Sequence, residues 1–497
     1  MTKPTVLHLH SRHTIGTVSP LIFGGFLEHL GRSIYEGVYD PGSVHADADG
    51  MRTDVIEALR ELGLTVVRYP GGNFASGYHW QDGVGPKEAR PRTRELAWQS
   101  IEPNTFGTDE FIKLCRKLDW QPMLAVNLGT GTPEEARDWV EYCNCETGTR
   151  HADMRAANGA AQPHGVPLWC LGNEMDGPWQ LGHVPAEQYA IRASQAAKMM
   201  KDCDRSIETV ACGSSAPTMP TFPEWDRTVL ESLGGLADYV SLHRYVGNPE
   251  DNPADYLALS NSIDAQIEAV DACARYVQAK QRSRRRAYLC FDEWNVWYRA
   301  RGGSHSDGRA KVAPALLEER YNLEDALVVA MFLMSFIRHA DSVRIANLAQ
   351  LVNVIGPVLT QGDELLKQSI FHAFRMVSSR RAGVSLRGAV EGPTYASERY
   401  GEVAFLDHAA IIDGSKLHVF AINRQLEDHM PLTVAFADRA IARVLSSEIL
   451  HADLKAENTF ESPDEVRAIP FDGWSADGNA NAVLPPHSLV ATTFELA

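Results

Sequence analysis

The sequence predicts an α/β protein: a (β/α)8 TIM barrel followed by an antiparallel β-sandwich of jelly-roll kind. Three observations lead there. From about residue 20 to 380, short apolar runs alternate with longer amphipathic ones. Eight of the short runs read as strands. After about residue 380 the texture changes to alternating stretches split by Gly, Asp, Asn and Pro clusters.

The strand candidates are Leu21–Leu27, Thr65–Tyr69, Met123–Leu128, Leu168–Gly172, Thr209–Gly213, Tyr239–His243, Ala287–Phe291 and Val343–Leu348. Segments of helical period lie between them. Asp54–Leu62 sets Val55, Ala58, Leu59 and Leu62 on one face, and Glu187–Met200 and Leu323–His339 are longer examples. Eight is the number at which a parallel sheet closes into a barrel that side chains can fill. The rival, a doubly wound open sheet, leaves two edges and rarely needs eight even repeats. Beyond residue 380, Val403–Leu406, Lys416–Ile422 and Leu432–Ala435 read as sandwich strands. The alternation Thr5–His10 reads as a strand that precedes the barrel and joins the sandwich. The expected division is a catalytic barrel over residues 18–380 and a sandwich built from 1–17 plus 381–497.

The 497 residues carry 47 Lys+Arg against 64 Asp+Glu, a net charge of −17. Such a surface repels polyphosphate and anionic lipid, so neither nucleic acid nor membrane is an expected partner. The one basic run, Arg282–Arg286, reads as a solvated helix end. The N-terminus lacks the apolar stretch of a secretory signal, and no apolar run is long enough to span a bilayer. The eight cysteines are scattered, several within strand-like runs, as free thiols of a reducing compartment would be. Cys143 and Cys145 are too closely spaced for a usual pair of zinc thiolates. The expectation is an acidic cytoplasmic enzyme acting on a neutral polar substrate.

In a barrel, reactive side chains gather at the carboxyl ends of the strands. Those ends read Glu28-His29, Arg68-Tyr69-Pro70-Gly71-Gly72-Asn73, Asn127-Leu128-Gly129, Gly172-Asn173-Glu174, His243-Arg244-Tyr245, Asp292-Glu293-Trp294-Asn295 and Asn347–Gln350. Carboxylates, amides and aromatics converge, which suits recognition of a polyol. Trp98, Trp179 and Trp297 fall in loops above them and offer flat faces for a sugar ring.

Glycoside hydrolysis needs one carboxyl that carries a proton and a second that is ionised. Glu174 and Glu293 end strands four and seven, on opposing sides of the barrel, and can reach a common point. Either glutamate alone would read as half of a salt bridge; the two together at strand ends favour catalysis. Glu28 is a third inward carboxylate, able to pair with Arg68 or to accept from sugar hydroxyls. Three carboxylates also raise the alternative of a bound hard cation, although the remaining strand ends supply amides and aromatics rather than further ligands. His243 and Tyr245 lie two apart at a strand end and so face one side.

These motifs closely resemble the α-L-arabinofuranosidases of glycoside hydrolase family 51. The resemblance rests on Arg68–Asn73, Gly172–Trp179 and Asp292–Asn295, with Gly24–His29 and Asn347–Gln350 in support, and runs from about residue 20 to 360. It implies Glu174 as acid/base and Glu293 as nucleophile of a retaining, exo-acting enzyme. It also implies that Glu28, Asn73, Asn173, Tyr245 and Gln350 bind the arabinofuranosyl ring and that Arg68 and His243 set the charge of the carboxylates. Trp297 would shape the leaving-group side, with Trp98 beside the ring. No metal or cofactor is implied. The resemblance further implies arabinose-containing oligosaccharides as partners and a cytoplasmic homohexameric assembly. The same carboxylate machinery serves β-xylosides or β-glucans in related enzymes; a non-catalytic sugar-binding protein would not need both glutamates.

Overall fold

The computed structural model describes residues 4–301 and 311–497. Its barrel strands are β1 (Gly24–Phe26), β2 (Val66–Tyr69), β3 (Gln121–Ala125), β4 (Leu168–Leu171), β5 (Glu208–Ala211), β6 (Tyr239–Val246), β7 (Tyr288–Val296) and β8 (Val343–Ala349). All pair in parallel, and β8 closes on β1 through Asn347–Gly24, Leu348–Gly25 and Ala349–Phe26.

Strand alternation divides the core. Val66, Met123, Ala125, Leu168, Cys170, Val210, Cys290 and Ile345 fill the barrel interior. Their neighbours Val67, Leu124, Trp169, Ala211, Leu289 and Phe291 face outward into the main core beneath the helices. Helix Thr53–Leu62 buries Val55, Ala58, Leu59 and Leu62 as its periodicity predicts. Helix Leu323–Arg338 is buried all round because it is wedged between the barrel and strand Leu406–Asp413 of the sandwich.

Several expected boundaries shift, among them the third strand, which runs over Gln121–Ala125 rather than Met123–Leu128. The first strand is shorter than Leu21–Leu27, because Ser19 caps a 3₁₀ turn over Pro20–Ile22. Strands six and seven run on past His243 and Phe291 to Val246 and Val296, carrying the polar motif residues inside the sheet. The basic run Arg282–Arg286 does follow a helix end, at Ser260–Gln281.

The C-terminal part forms a seven-stranded and a five-stranded sheet, with a separate ribbon in which Thr394–Ser397 pairs with Gly401–Ala404. The stretch Val403–Leu406 thus straddles two strands. The residues ahead of the barrel enter both sheets: Thr5–Leu9 pairs with Met430–Phe436 and Ala389–Glu391, and Thr14–Thr17 with Val384–Leu386. Leu7, Leu9, Leu417, Val419, Leu432 and Val434 form the core between these sheets. Phe420 and Ile422, on the other face, join the barrel core.

Candidate active site

A cavity of about 550 Å³ opens at the carboxyl ends of the barrel strands. Glu28, Asn73, Trp98, Glu174, Tyr245, Glu293, Trp297 and Gln350 all line it. Arg68, Asn173 and His243 are buried beneath these side chains rather than in the wall.

Glu293 is reached through a bulge. The register between β6 and β7 shifts after Ser241–Cys290 to His243–Glu293, so β7 carries one extra residue there. Asp292 and Glu293 therefore both face inward. Arg68 Nη1 donates to Glu293 Oε1 at 2.7 Å, and the Tyr245 hydroxyl donates to Oε2 at 2.9 Å. The other end of the same guanidinium donates to Asn173 Oδ1 at 2.7 Å, while Asn173 Nδ2 donates to Gln180. Glu174 adopts φ +42°, a left-handed conformation costing on the order of 1 kcal/mol, which points to a position held for function. One of its oxygens accepts from Trp179 Nε1 at 2.5 Å and the other faces His243 Nδ1 at 2.9 Å. The nearest oxygens of Glu174 and Glu293 lie within 4.8 Å of each other.

The loop after β2 makes this approach possible. A Cβ on Gly71 would meet Glu28 Cγ at 2.6 Å, and one on Gly72 would meet Glu293 Oε1 at 2.7 Å. Across the cavity, Glu28 Oε1 accepts from the Phe74 amide and from Trp98 Nε1, both at 3.0 Å, and Oε2 accepts from Gln350 Nε2 at 3.1 Å. Trp179 stands half-exposed at the rim, and Trp297 meets Tyr245 edge-on.

Charges here depend on partners as much as on depth. Burial, and next the charge of Glu293, push Glu28 up to about 8. Burial would also raise Asp292, but Arg68 and His243 outweigh it and hold it at about 2. Burial opposes the charge on His243, yet Glu293, Asp292 and Glu174 raise its pKa well above the usual imidazole range.

Two family models match the sequence, an α-L-arabinofuranosidase 1 domain over residues 58–262 and an α-L-arabinofuranosidase C-terminal domain over 292–488. The chain is 44% identical over 458 residues to the intracellular exo-α-(1→5)-L-arabinofuranosidase of Acetivibrio thermocellus, spanning 90% of each. It is 41% identical over 495 residues to an exo-α-(1→6)-L-arabinofuranosidase of Bifidobacterium longum, spanning 96% of this chain and 94% of that one. The structure superposes on a family 51 α-L-arabinofuranosidase from Bifidobacterium longum with TM-score 0.95 at 37% identity, covering both chains fully. It matches the Thermotoga maritima α-L-arabinofuranosidase, solved with arabinose, at TM-score 0.87 and 34% identity, again over the whole of both. The chain belongs to the α-L-arabinofuranosidases of glycoside hydrolase family 51.

This family 51 exo-α-L-arabinofuranosidase also uses residues that the sequence reading did not single out. Asp292 stands 3.3 Å from both Arg68 and His243 and links the two side chains; its place beside Glu293 in the Asp292–Asn295 motif was the one available signal. Ser215, Thr218, Leu317 and Ile355 complete the wall from loops without any motif.

Among the described residues, two clusters have the ligand types of a metal site. In Glu174–His243–Glu293, the two carboxylates already take Trp179, Arg68 and Tyr245 as donors, and the two ring nitrogens of His243 face Glu174 and Asp292. In Asp138–Glu141–His151, Arg137 already lies 2.6 Å from Asp138. Glu28, the centre of the cation alternative, gives both oxygens to protein donors.

Proposed function

We propose that this arabinofuranosidase retains anomeric configuration through a two-step displacement, with Glu293 as nucleophile and Glu174 as acid/base. The separation of the two carboxylates carries this reading. With oxygens within 4.8 Å, it suits the roughly 5 Å of retaining enzymes; inverting enzymes need about 6.5–9.5 Å to admit a water.

The surroundings support the division of labour. Glu293 is pinned by a permanent cation and a hydroxyl, which aim it at the anomeric carbon. Glu174 sits nearer the mouth beside the exposed Trp179, where a leaving group departs and water enters. In the first step Glu293 attacks as Glu174 protonates the departing oxygen. In the second, Glu174 takes a proton from water, which attacks the same face of the sugar that the leaving group left. Glu28, Asn73 and Gln350 surround the ring with polar groups, Asn173 acts through its contact with Arg68, and Trp98 and Trp297 flank the ring and the leaving-group side.

The substrates are terminal non-reducing α-L-arabinofuranosyl residues of arabino- and arabinoxylo-oligosaccharides. The exo-α-(1→5)- and exo-α-(1→6)-L-arabinofuranosidase names of its relatives support the terminal α-L-arabinofuranosyl residue. The names of several relatives also support a cytoplasmic location. Neither cofactor nor metal is required. The homohexameric assembly and the division into 18–380 and 1–17 plus 381–497 complete the proposal.

Azide rescue tests the roles. Glu174→Ala should keep substantial first-step rate on a dinitrophenyl arabinofuranoside and little on a natural disaccharide. Azide should speed its turnover and give the glycosyl azide with retained configuration by NMR. Glu293→Ala should be inactive on both substrates, and any azide product should be inverted. A retained product from Glu293→Ala would reverse the two assignments.

A further inference from the structure

Helices Pro133–Asn144 and Ala186–Cys203 pack side by side on the outside of the barrel. Strands run toward the cavity and each helix returns from it, so both helices end at the opposite face. Cys145 is the first residue beyond one of these helices, and Cys203 is the last residue of the other. Their Sγ atoms stand 3.3 Å apart, near enough for one thiol to donate to the other. A disulfide bond is about 2.05 Å long, so an approach of about 1.3 Å closes one. Both residues are only partly buried. Five of the other six cysteines are fully buried, and the remaining one, Cys273, has its sulfur against the Pro223 carbonyl.

We propose that Cys145 and Cys203 form a redox-active dithiol, a modification site for small-molecule disulfides, which closes into a staple between two barrel helices without touching the catalytic cavity. In the first step, the Cys145 thiolate attacks one sulfur of the reagent disulfide. The reagent S–S bond breaks, and one reagent thiolate leaves and takes a proton. Cys203 then gives its proton to solvent and its sulfur attacks Cys145 Sγ, expelling the second reagent thiolate. Two protein thiols are oxidised by two electrons, and one reagent disulfide is reduced to two thiols.

Cys145 leads because the exposed residues 146–150 follow it directly and leave it open to the reagent. Burial, and after it the hydrogen bond with Cys145, push the Cys203 thiol up. Its fixed place beside Cys145 compensates for the scarcity of its thiolate. Closing a loop of 203 − 145 = 58 residues restricts the unfolded chain and stabilises the folded one. The strand ends that carry Glu174 and Glu293 are at the far face, so turnover is unaffected.

The test uses the whole reduced protein and excess oxidised glutathione, followed by alkylation. Free thiols measured in denaturant should fall from eight to six. Peptide mapping without reductant should show the peptides of Cys145 and Cys203 joined. The melting temperature should rise by several degrees, and kcat/KM on an aryl arabinofuranoside should change less than about 1.5-fold; dithiothreitol should reverse the first three. Cys145→Ser and Cys203→Ser should each abolish the cross-link while keeping full activity. Eight thiols persisting in excess oxidant would overturn the proposal. So would glutathione adducts without a cross-link, a cross-link between other cysteines, or activity lost in step with cross-linking.

Discussion

Replacing Gly72 by alanine probes how tightly the site holds Glu293, the proposed nucleophile. The added Cβ would stand 2.7 Å from Glu293 Oε1, where ordinary contact begins near 3.4 Å. The carboxylate must therefore give by about 3.4 − 2.7 = 0.7 Å. It cannot swing aside freely, because Arg68 holds that same oxygen at 2.7 Å and Tyr245 holds the other at 2.9 Å. A misplacement approaching 1 Å at a reacting group costs on the order of 10²-fold, or about 2.7 kcal/mol in the barrier. The assay is steady-state hydrolysis of 4-nitrophenyl α-L-arabinofuranoside, with melting temperature as the control for folding. Gly235→Ala provides the comparison, since a Cβ there meets nothing within 4 Å. It should behave as wild type, while Gly72→Ala loses about 10²-fold in kcat with little change in melting temperature. A Gly72→Ala enzyme within about 3-fold of wild type would refute the idea that Glu293 is rigidly placed.

Tyr245→Phe removes the hydroxyl donor on Glu293 Oε2, a buried bond to a charged group worth roughly 1.5–3 kcal/mol, so kcat should fall about 10- to 100-fold. Folded Glu28 holds its proton up to about 8, well above an unfolded glutamate, so its contribution to stability is full below about pH 4.5 and is lost as pH rises through about 8. Melting curves should therefore show wild type losing stability relative to Glu28→Gln across that window, and parallel curves would contradict the burial argument. Dialysis against EDTA should leave activity intact; a loss restored by a divalent ion would revive the cation reading of Glu28. An aryl α-L-arabinofuranoside should be cleaved far faster than the matching α-L-arabinopyranoside or β-D-glucopyranoside, because a site built for particular hydroxyls rejects sugars that leave its polar groups unpaired. Comparable kcat/KM on the glucoside would sink the substrate assignment.

What the sequence reveals depends on whether its signal is local. Strands such as Leu168–Leu171 are buried on both faces and read as continuous apolar runs. Glu174 and Glu293 are legible because each closes such a run. The same logic cut β6 and β7 short, since polar residues inside a strand interrupt its apolar pattern. The bulge in β7 is harder to see, because strict alternation would turn Glu293 outward if Asp292 faces inward. The cavity wall at Ser215, Thr218, Leu317 and Ile355 depends on loop paths set by distant packing, and no local pattern records it.

Asp292 shows how the site sustains buried charge. Arg68 and His243 are almost wholly buried, and each would be costly there without a partner. Asp292 contacts both, and the ring of Phe26 lies 4.7 Å from the Arg68 guanidinium. The two cations so held then face Glu293 and Glu174 from below. Glu28 is buried to a similar depth, but its hydrogen-bond partners among the described residues are an amide N–H, an indole N–H and a carboxamide rather than a cation. One carboxyl stands at about 2 and the other at about 8. Partners, rather than depth, therefore separate a carboxylate held low by two cations from a carboxyl whose hold on its proton is pushed up. A neutral Glu28 can donate to one sugar hydroxyl while accepting from another, which a carboxylate cannot do.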